Sequence, residues 1–505
     1  MGVSTAPPAT AATAPQSSQV DWLLCSYAWL NPAFGRFVYS TLIQPGLRAV
    51  PPTHGVDVVA LARHVMAARR HRRLVIVLAL VDVLLIVAGA GLILGLGRFT
   101  AGDLGWGLAV LLGGVLAYFV LIGWHLGVTR TRASRLAGGP PPHPRDAAAR
   151  LPDAVEERLD AYAKSNVIVF GGGIPFVGAG KLLTRWNVQV DTTKAAKDDH
   201  GRPRAVQPVN AEELQKALSI TVRKAGIDGI RVNNRLFVDG TRADAVDGLL
   251  PDPEQPPSTT VARSEIRRAI LNATVNARTY LCIEVPSWNG ELVVTVFVRA
   301  VEFGTDLYAE FYAYVLLPLH PVVASAENLP ISPYGRAAHL ARWTVPTGLR
   351  LLRNAPHTLF MTARWRRFLA RRPAVQRRII RKSAFFDYGA VGGIRAAVAA
   401  EHRDRLFAYE DEERAIKSIR KAVLKVVVQY VSDHGIDTSE LERQQSQIFK
   451  QTINIRDVKG RNIMLGDNNK FFDGLAMGGA DEDDDGSGGT AGGKTDDDSD
   501  DEEKP

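Results

Sequence analysis

Two long apolar runs constrain this chain most, because each is long enough to cross a lipid bilayer. They cover residues 74–96 and 104–128, and their polar exceptions are Asp82 in the first and His125 in the second. A helix that crosses the roughly 30 Å hydrocarbon core needs about 20 mostly apolar residues. Residues 97–103 leave room only for a tight antiparallel return. The sequence therefore predicts a transmembrane helical hairpin at 73–128, with buried helices of a soluble protein as the alternative.

The charges that flank the hairpin predict its orientation. Four arginines precede the first run and three follow the second, whereas the return carries one arginine and one aspartate. The flanking residues are Arg69, Arg70, Arg72, Arg73, Arg130, Arg132 and Arg135. Positive residues near membrane helices stay on the cytoplasmic side. We therefore expect a two-pass protein of the cell (plasma) membrane with both termini in the cytoplasm.

Asp82 is an intramembrane polar residue that needs an explanation. A carboxylate at this depth costs roughly 2.5 kcal/mol or more unless it is neutral or has a partner. In an antiparallel hairpin, Tyr118 lies at nearly the same depth, which predicts a packing hydrogen bond between Asp82 and Tyr118. The alternative is that Asp82 lines an ion or proton pathway through an oligomer.

The net charge hides a division between a basic body and an acidic tail. The formal charge of the chain is +8, but the residues after Gly474 hold twelve acidic residues against two lysines, a net −10. The remaining chain is therefore +18, from +8 minus −10. Such a body is attracted to anionic lipid headgroups, and nucleic acid is the less favoured partner. The Gly/Asp-rich tail, 471–505, is predicted to be disordered.

No motif in the sequence points to catalysis, a cofactor or a metal. Cys25 and Cys282 have no neighbouring cysteine or histidine that would make a zinc site or a disulfide framework. The glycine-rich residues 171–181 resemble a phosphate loop, but Pro175 and Leu182 stand where that loop needs glycine and Ser/Thr. A connection between two strands is the better interpretation. We therefore expect no catalytic, cofactor-binding or metal-binding residues.

The region 151–330 is predicted to be a cytoplasmic α+β domain. Runs rich in Val, Phe and Tyr at 279–286, 291–301 and 307–317 are separated by turn residues, including Asn289-Gly290, which favours a three-strand antiparallel meander. A second hairpin is predicted at 230–238, turning at Asn233-Asn234. Helices are predicted at 210–224, capped by Asn210, and at 264–276.

The remaining segments complete a fold of a transmembrane helical hairpin followed by an α+β domain and a helical C-terminal region. The helix predicted at 412–433 carries one apolar stripe, the pattern of a core-facing helix. The other segments are a disordered leader at 1–20, interfacial or amphipathic helices at 21–72, a linker at 129–150, a basic helical region at 331–450 and a short β-hairpin at 451–470.

The basic region contains the candidates for contact with a membrane surface. Residues 331–386 include no acidic residue and many arginines. Aromatic and arginine side chains alternate with helical spacing, the pattern of a basic amphipathic helix on a lipid surface. A solvated basic face is the alternative. The candidates are Arg364, Trp365, Arg367, Phe368, Arg371 and Arg372.

Two patches resemble uncharacterised bacterial, actinobacterial membrane proteins that have two helices and a cytoplasmic domain. They are residues 166–180, with Pro175-Phe176-Val177-Gly178, and residues 434–439. Residues 453–469 resemble short β-tails of some bacterial signalling and conflict-system proteins. The resemblance implies a membrane location and no particular activity.

These features favour a non-enzymatic, membrane-anchored protein with a cytoplasmic interaction or sensing domain. Its expected partners are anionic lipid and an unidentified protein, and a homo-oligomer is compatible with the hairpin. One alternative is an oligomeric membrane effector or channel built from the hairpin. The other is an enzyme whose site carries no recognised motif.

Overall fold

The computed structural model describes residues 18–94, 101–138, 143–272, 276–330, 332–382, 385–400 and 406–450. The predicted β-hairpin at 451–470, the acidic tail and nearly all of the leader lie outside the described residues.

The N-terminal segment forms short helices that pack into the protein. Helix α1 (Gln19–Leu30) and helix α2 (Pro32–Val38) are followed by one π-helical stretch, Tyr39–Ile43. The Asn31 side chain accepts hydrogen bonds from the amides of Ala33 and Phe34 and so caps α2. Most of α1 is buried, so the predicted helices of this region belong to the core.

Helices α3 (Val58–Leu94) and α4 (Ala101–Ala137) form an antiparallel pair of 37 residues each. Both are long and apolar enough to span a membrane. The first turns of α3 are buried in the protein, while Leu84 and Leu116 are about two-thirds exposed (68% and 67%). Residues 101–103, predicted as part of the return loop, belong to the first turn of α4.

A six-stranded sheet follows the helix pair, in the order β1-β3-β4-β5-β6-β2. Strands β4, β5 and β6 form the predicted antiparallel meander, and β1 pairs with β3 in parallel. The strands are β1 (Val167–Phe170), β2 (Lys181–Asp191), β3 (Arg231–Asp239), β4 (Ala277–Ser287), β5 (Leu292–Phe303) and β6 (Asp306–Leu316).

Two turns differ from the prediction. Asn233 and Asn234 do not turn the chain, because both lie within β3 and pair with Cys282 and Leu281 of β4. The long strand β4 supplies a continuous ladder, which outweighs the turn preference of the two asparagines. The loop between β4 and β5 has four residues instead of two, since Ser287 pairs with Leu292.

Helices cover one face of the sheet. Helix α9 (Leu406–Asp433) places Ile416, Ile419, Val423 and Val427 in the same hydrophobic cluster as β2 and β4–β6, which confirms its predicted core stripe. The other helices of this region are α5 (Asp153–Ala163), α6 (Ala211–Arg223), α7 (Arg263–Leu271) and α10 (Ser439–Lys450). Helix α7 ends five residues before the predicted Asn276. The described fold is thus the expected mixture of α and β elements.

Helix α8 (Pro333–Lys382) extends over 50 residues between β6 and α9. After it, the chain returns to the sheet and pairs with the edge strand β1. The Ala390 amide donates to the Val169 carbonyl at 2.8 Å, and the Gly171 amide donates to the Ala390 carbonyl at 3.1 Å. A Cβ at Gly389 would lie 2.2 Å from the Gly171 nitrogen, so only glycine allows this approach.

Candidate functional site

The face of the sheet opposite the helices carries a layer of aromatic side chains. Phe176 lies at its centre and stacks on Phe297 with ring centroids 4.2 Å apart. It also contacts Phe237, Tyr280, Tyr312 and Tyr314. The glycine-rich connection between β1 and β2 places Phe176 there, which gives this loop a packing role in the described structure.

A histidine and a glutamate form a buried pair on the same face. His54 Nδ1 lies 3.0 Å from Glu284 Oε1, and Arg235 Nη1 lies 3.3 Å from the same oxygen. Burial by itself would raise the pKa of Glu284, but the neighbouring His54, Arg235 and Arg231 outweigh it and lower the pKa to about 2. Glu284 is therefore ionised near neutral pH and can only accept, so the Nδ1–H of His54 donates a hydrogen bond to the carboxylate.

The other ring nitrogen of His54 is enclosed by protein. Nε2 is buried and has no hydrogen-bond partner. His54 belongs to residues 49–57, which we call the strap, and this segment crosses from the π-helical stretch to the start of α3. The strap is paired to the segment after α8, because the Ala49 amide donates to the Tyr388 carbonyl at 2.7 Å.

Arg395 holds the strap in position through hydrogen bonds to backbone carbonyls. It is only 1% exposed, and its two terminal nitrogens donate to the carbonyls of His54 at 3.3 Å and Glu291 at 2.6 Å. Burial lowers the pKa of Arg395 to about 10, so it is still charged at neutral pH. Its charge is held by carbonyl dipoles, which makes the position of His54 dependent on a residue more than 300 positions later in the chain.

A cleft of about 1600 Å³ opens beside the strap. Its walls are the strap, the start of α1, the end of α5, and the ends of β3 and β4. Polar and aromatic side chains converge on it: Asp21, Trp22, His54, Asp57, Arg145, Tyr162, Asp228, Arg231, Arg235, Glu284 and Trp288. Charges of both signs with aromatic walls suit a ligand or peptide that offers donors, acceptors and a flat apolar surface.

The cleft is joined directly to the first apolar helix. The Asp57 carboxylate accepts from the amides of Val59 at 3.0 Å and Ala60 at 3.1 Å and thereby caps α3. Asp57 also forms an ion pair with Arg145, and its own amide donates to Asp21 at 2.7 Å. The wall of the cleft and the beginning of α3 therefore form one hydrogen-bonded unit.

The described residues of this cleft include an oriented histidine, one part of a pair of general base and nucleophile. A histidine oriented by a carboxylate is half of a general-base arrangement. However, Nε2 contacts no hydroxyl or thiol among the described residues. Cys25 and Cys282 are buried and free, and burial raises the pKa of Cys282 to about 12, which makes the thiol unreactive. The described part of the chain also holds no cluster of three or more metal-ligand side chains.

The predicted membrane-surface residues divide into two groups. Trp365 and Arg372 are half-buried: Trp365 packs on Tyr39 with ring centroids 5.9 Å apart, and Arg372 donates to the Ser40 carbonyl at 3.4 Å. Arg364, Arg367, Phe368 and Arg371 are exposed and line a groove of about 740 Å³. The groove also contains Arg48, Phe360, Val375, Ile379 and Phe386.

Asp82 and Tyr118 are both buried, but the hydrogen bond predicted between them is wrong. The Tyr118 hydroxyl donates its one hydrogen bond to the Gly348 carbonyl of α8 at 2.9 Å and therefore not to Asp82. One carboxylate oxygen of Asp82 is buried with no partner. The prediction failed because it did not place any part of α8 beside α4.

The comparisons with known proteins define the family. A family model described as an AbeC-like domain matches residues 185–464, more than half of the chain. The match includes most of β2, all of β3–β6 and α6–α10, and it contains Glu284 and Arg235 but neither His54 nor the apolar helices α3 and α4. No curated protein and no solved structure matches the chain. The chain belongs to the family of proteins with an AbeC-like domain.

Proposed function

We propose that this protein is a non-enzymatic membrane anchor and sensor whose cytoplasmic sheet domain binds a partner in the cleft at the inner membrane surface. One observation carries the proposal: Asp57, which lines the cleft, also caps α3, the first apolar helix. A ligand that moves the strap must therefore act on the start of this helix. The anchoring helices and the binding domain are therefore coupled directly at Asp57.

The surface of the apolar pair supports membrane anchoring. Its exposed side chains are mainly Leu and Val, including Leu84, Leu85, Leu112 and Leu116. In water such a surface would be an unfavourable apolar patch, whereas in a bilayer it contacts hydrocarbon. The flanking arginines support an orientation with both ends of the pair on the cytoplasmic side.

Contacts between the N-terminal half of α3 and helices α1 and α5 support rigid coupling of the anchor to the sheet domain. Arg63 of α3 makes a two-pronged ion pair with Glu156 of α5, with both nitrogen–oxygen distances 2.7 Å. Arg72 of α3 donates to the carbonyls of Ala28 and Trp29 at the end of α1. Bidentate and carbonyl contacts of this kind fix orientation as well as distance. Motion at the cleft would be transmitted to the membrane helices through them.

Two partners fit the described surfaces. The exposed arginines and Phe368 of the groove on α8 suit anionic lipid, because phosphate pairs with guanidinium while apolar side chains enter the bilayer. The cleft, with charges of both signs, suits an extended segment of a partner protein.

Hydrogen exchange on the full chain in lipid nanodiscs tests the coupling. The probe is Arg395→Met, which removes the contact to the strap carbonyl of His54 and the contact to the Glu291 carbonyl. Arg414→Met, at an exposed residue of α9, is the matched control. The proposal expects faster exchange at the strap and also in the first turns of α3 in Arg395→Met alone. Faster exchange confined to the strap would contradict coupling.

The buried, unpartnered carboxylate oxygen of Asp82 favours a second function, an oligomeric effector or channel in which Asp82 lines the pathway. This function predicts conductance in liposomes that disappears with Asp82→Leu. Conductance that is unchanged by Asp82→Leu would contradict it.

A further inference from the structure

The first part of α8 follows α4 along the apolar pair. Leu340 packs in a hydrophobic cluster with Tyr118, Ile122 and Leu126 of α4. Further along, the Gly348 carbonyl accepts from the Tyr118 hydroxyl, and a Cβ at Gly348 would lie 2.9 Å from the Phe119 ring. Contacts that advance from Leu126 to Tyr118 as α8 advances from 340 to 348 show that the two helices are antiparallel there.

The last part of α8 lies beside the cytoplasmic ends of the apolar helices. Trp365 packs against Tyr39 and lies 4.9 Å from the guanidinium of Arg69. Gln376 accepts a hydrogen bond from the Leu47 amide at 3.0 Å. Arg381 then forms an ion pair with Glu254 of the sheet domain at 2.6 Å. These contacts lead away from the apolar region.

The positions of these contacts require a reversal of direction within α8. Tyr118 precedes Arg130 by twelve residues in α4, so it lies about 18 Å farther from the cytoplasmic end of that helix at ~1.5 Å per residue. Arg69 lies thirteen residues before Asp82, about 20 Å below it along α3. Seventeen residues separate Gly348 from Trp365, about 25 Å of helix, and a straight helix would carry Trp365 farther from Arg69. The helix must therefore bend back between these two residues.

The sequence supplies a reason for the bend. Pro356 lies between Gly348 and Trp365, and a proline lacks the amide hydrogen that a helix interior uses. The bend divides α8 into an entering limb, residues 333–348, and a returning limb, residues 360–382.

We propose that α8 is a re-entrant membrane element that enters the inner half of the bilayer beside α4 and returns to the cytoplasmic side. This inference rests on the proposed membrane anchoring of α3 and α4. The occupant of its outer surface is lipid hydrocarbon, because Val345, Leu349 and Phe360 are at least half exposed (50%, 56% and 64%). The entering limb lies at the same depth as the exposed Leu116 and Val120 of α4, so the apolar surfaces are continuous.

The arginines of α8 fit a re-entrant element better than a third span. The entering limb carries Arg336 and Arg342, and the first arginine of the returning limb, Arg364, is next to Trp365, which lies beside Arg69 at the cytoplasmic end of α3. Arg350 and Arg353 lie nearer the bend, where an arginine side chain is long enough to reach toward lipid phosphates. A complete crossing would have to carry the arginines of the returning limb past the centre of the bilayer.

Spin-label depth measurements on the full chain in liposomes test the depth of α8. The labels are attached to Leu349→Cys, to Leu84→Cys as a position in the anchoring pair, and to the exposed Arg377→Cys as an aqueous control. Both native cysteines are buried. Re-entry predicts that Leu349→Cys is reached by oxygen and is several-fold less accessible to a water-soluble nickel reagent than Arg377→Cys. High nickel accessibility at Leu349→Cys with a protected Leu84→Cys would overturn re-entry alone, and exposure of both would overturn the anchor as well.

A membrane-impermeant maleimide distinguishes re-entry from a third crossing. Cysteines at the exposed Tyr334 and at Arg377 lie on opposite sides of the bend. Re-entry predicts that both react in inside-out vesicles and that neither reacts in intact cells. Reaction of one of the two in intact cells would show that α8 crosses the membrane and would overturn the proposal.

Discussion

His54 and Glu284 are 230 residues apart in the sequence, yet their side chains meet at 3.0 Å beneath the strap. This contact joins the segment that precedes the first apolar helix to β4, the first strand of the meander. Arg235 completes the arrangement from β3, so one carboxylate has two partners. Because the group is largely buried, Glu284 and Arg235 depend on each other for compensation of their charges.

Glu284→Ala is expected to destabilise the protein strongly. It would leave Arg235 buried without its partner, and breaking a buried ion pair by removing one member costs about 3–5 kcal/mol. The free energy of unfolding by urea in detergent micelles measures the effect. Asp247→Ala, which removes a surface-exposed pair with Arg268, should cost about 1 kcal/mol or less. Equal losses for the two variants would contradict the role of Glu284.

The same carboxylate predicts a dependence of stability on pH. The pKa of Glu284 is lowered from 4.5 to about 2, so its contribution is fully present above pH 4.5 and is lost as the pH falls toward 2. A pKa difference of this size corresponds to about 3 kcal/mol. The difference in unfolding free energy between the protein and Glu284→Gln should therefore be largest at pH 6–7 and shrink below pH 4. A difference that is constant down to pH 3 would argue against an ionised Glu284.

Gly348→Leu is expected to separate the entering limb of α8 from α4. A side chain there meets the Phe119 ring at 2.9 Å, within the close packing around Tyr118. Cysteines at Gly127 and Leu340, which face each other in this contact, should crosslink readily in the otherwise unchanged protein and poorly with Gly348→Leu. Gly113→Leu is the matched control, because a Cβ at Gly113 meets no atom within 4 Å. Undiminished crosslinking in Gly348→Leu would refute close packing at this position.

The proposed orientation of the hairpin, with both of its ends in the cytoplasm, predicts a pattern of cysteine labelling. A cysteine at Thr100, in the short connection between α3 and α4, should react with an impermeant reagent in intact cells. A cysteine at Lys216, exposed on α6 of the sheet domain, should react only after the membrane is opened. Reaction at Lys216→Cys in intact cells would contradict this orientation.

Local patterns in the sequence were sufficient for much of the fold. The meander could be predicted because β-branched and aromatic runs alternate with turn residues, and α9 because its apolar residues repeat with helical spacing. Each of these elements is determined by residues that are close together in the chain.

The site depends on contacts that no local pattern reveals. His54 is a lone histidine beside two prolines, and nothing near it indicates that Glu284 and Arg395 will reach it from β4 and from the segment after α8. The reversal of α8 likewise depends on Tyr118 and Arg69, which lie more than 200 residues earlier. The turn predicted at Asn233-Asn234 failed for the opposite reason, since pairing with β4 overrode a local preference.

The acidic tail is predicted to compete with lipid for the groove on α8. Its clusters at 481–485 and 496–503 belong to the same molecule as Arg364, Arg367 and Arg371, so the tail would compete for them at millimolar-scale effective concentration. Each arginine near an anionic bilayer is worth about 1 kcal/mol, so partial occupancy by the tail would weaken lipid binding measurably. The alternative role of the tail is to keep a basic protein soluble.

Binding of anionic vesicles to the full chain, held in nanodiscs of neutral lipid, separates these roles. Deletion of residues 475–505 should tighten binding at low salt, and the gain should shrink at high salt because exposed charges are screened beyond about 10 Å at 0.1 M. A variant that keeps the length of the tail but changes its twelve acidic residues to Asn or Gln is the matched control and should behave like the deletion. If Arg364→Gln, Arg367→Gln and Arg371→Gln together abolish the gain, the competition occurs in the groove. Equal vesicle binding with and without the tail at low salt would leave only the role in solubility.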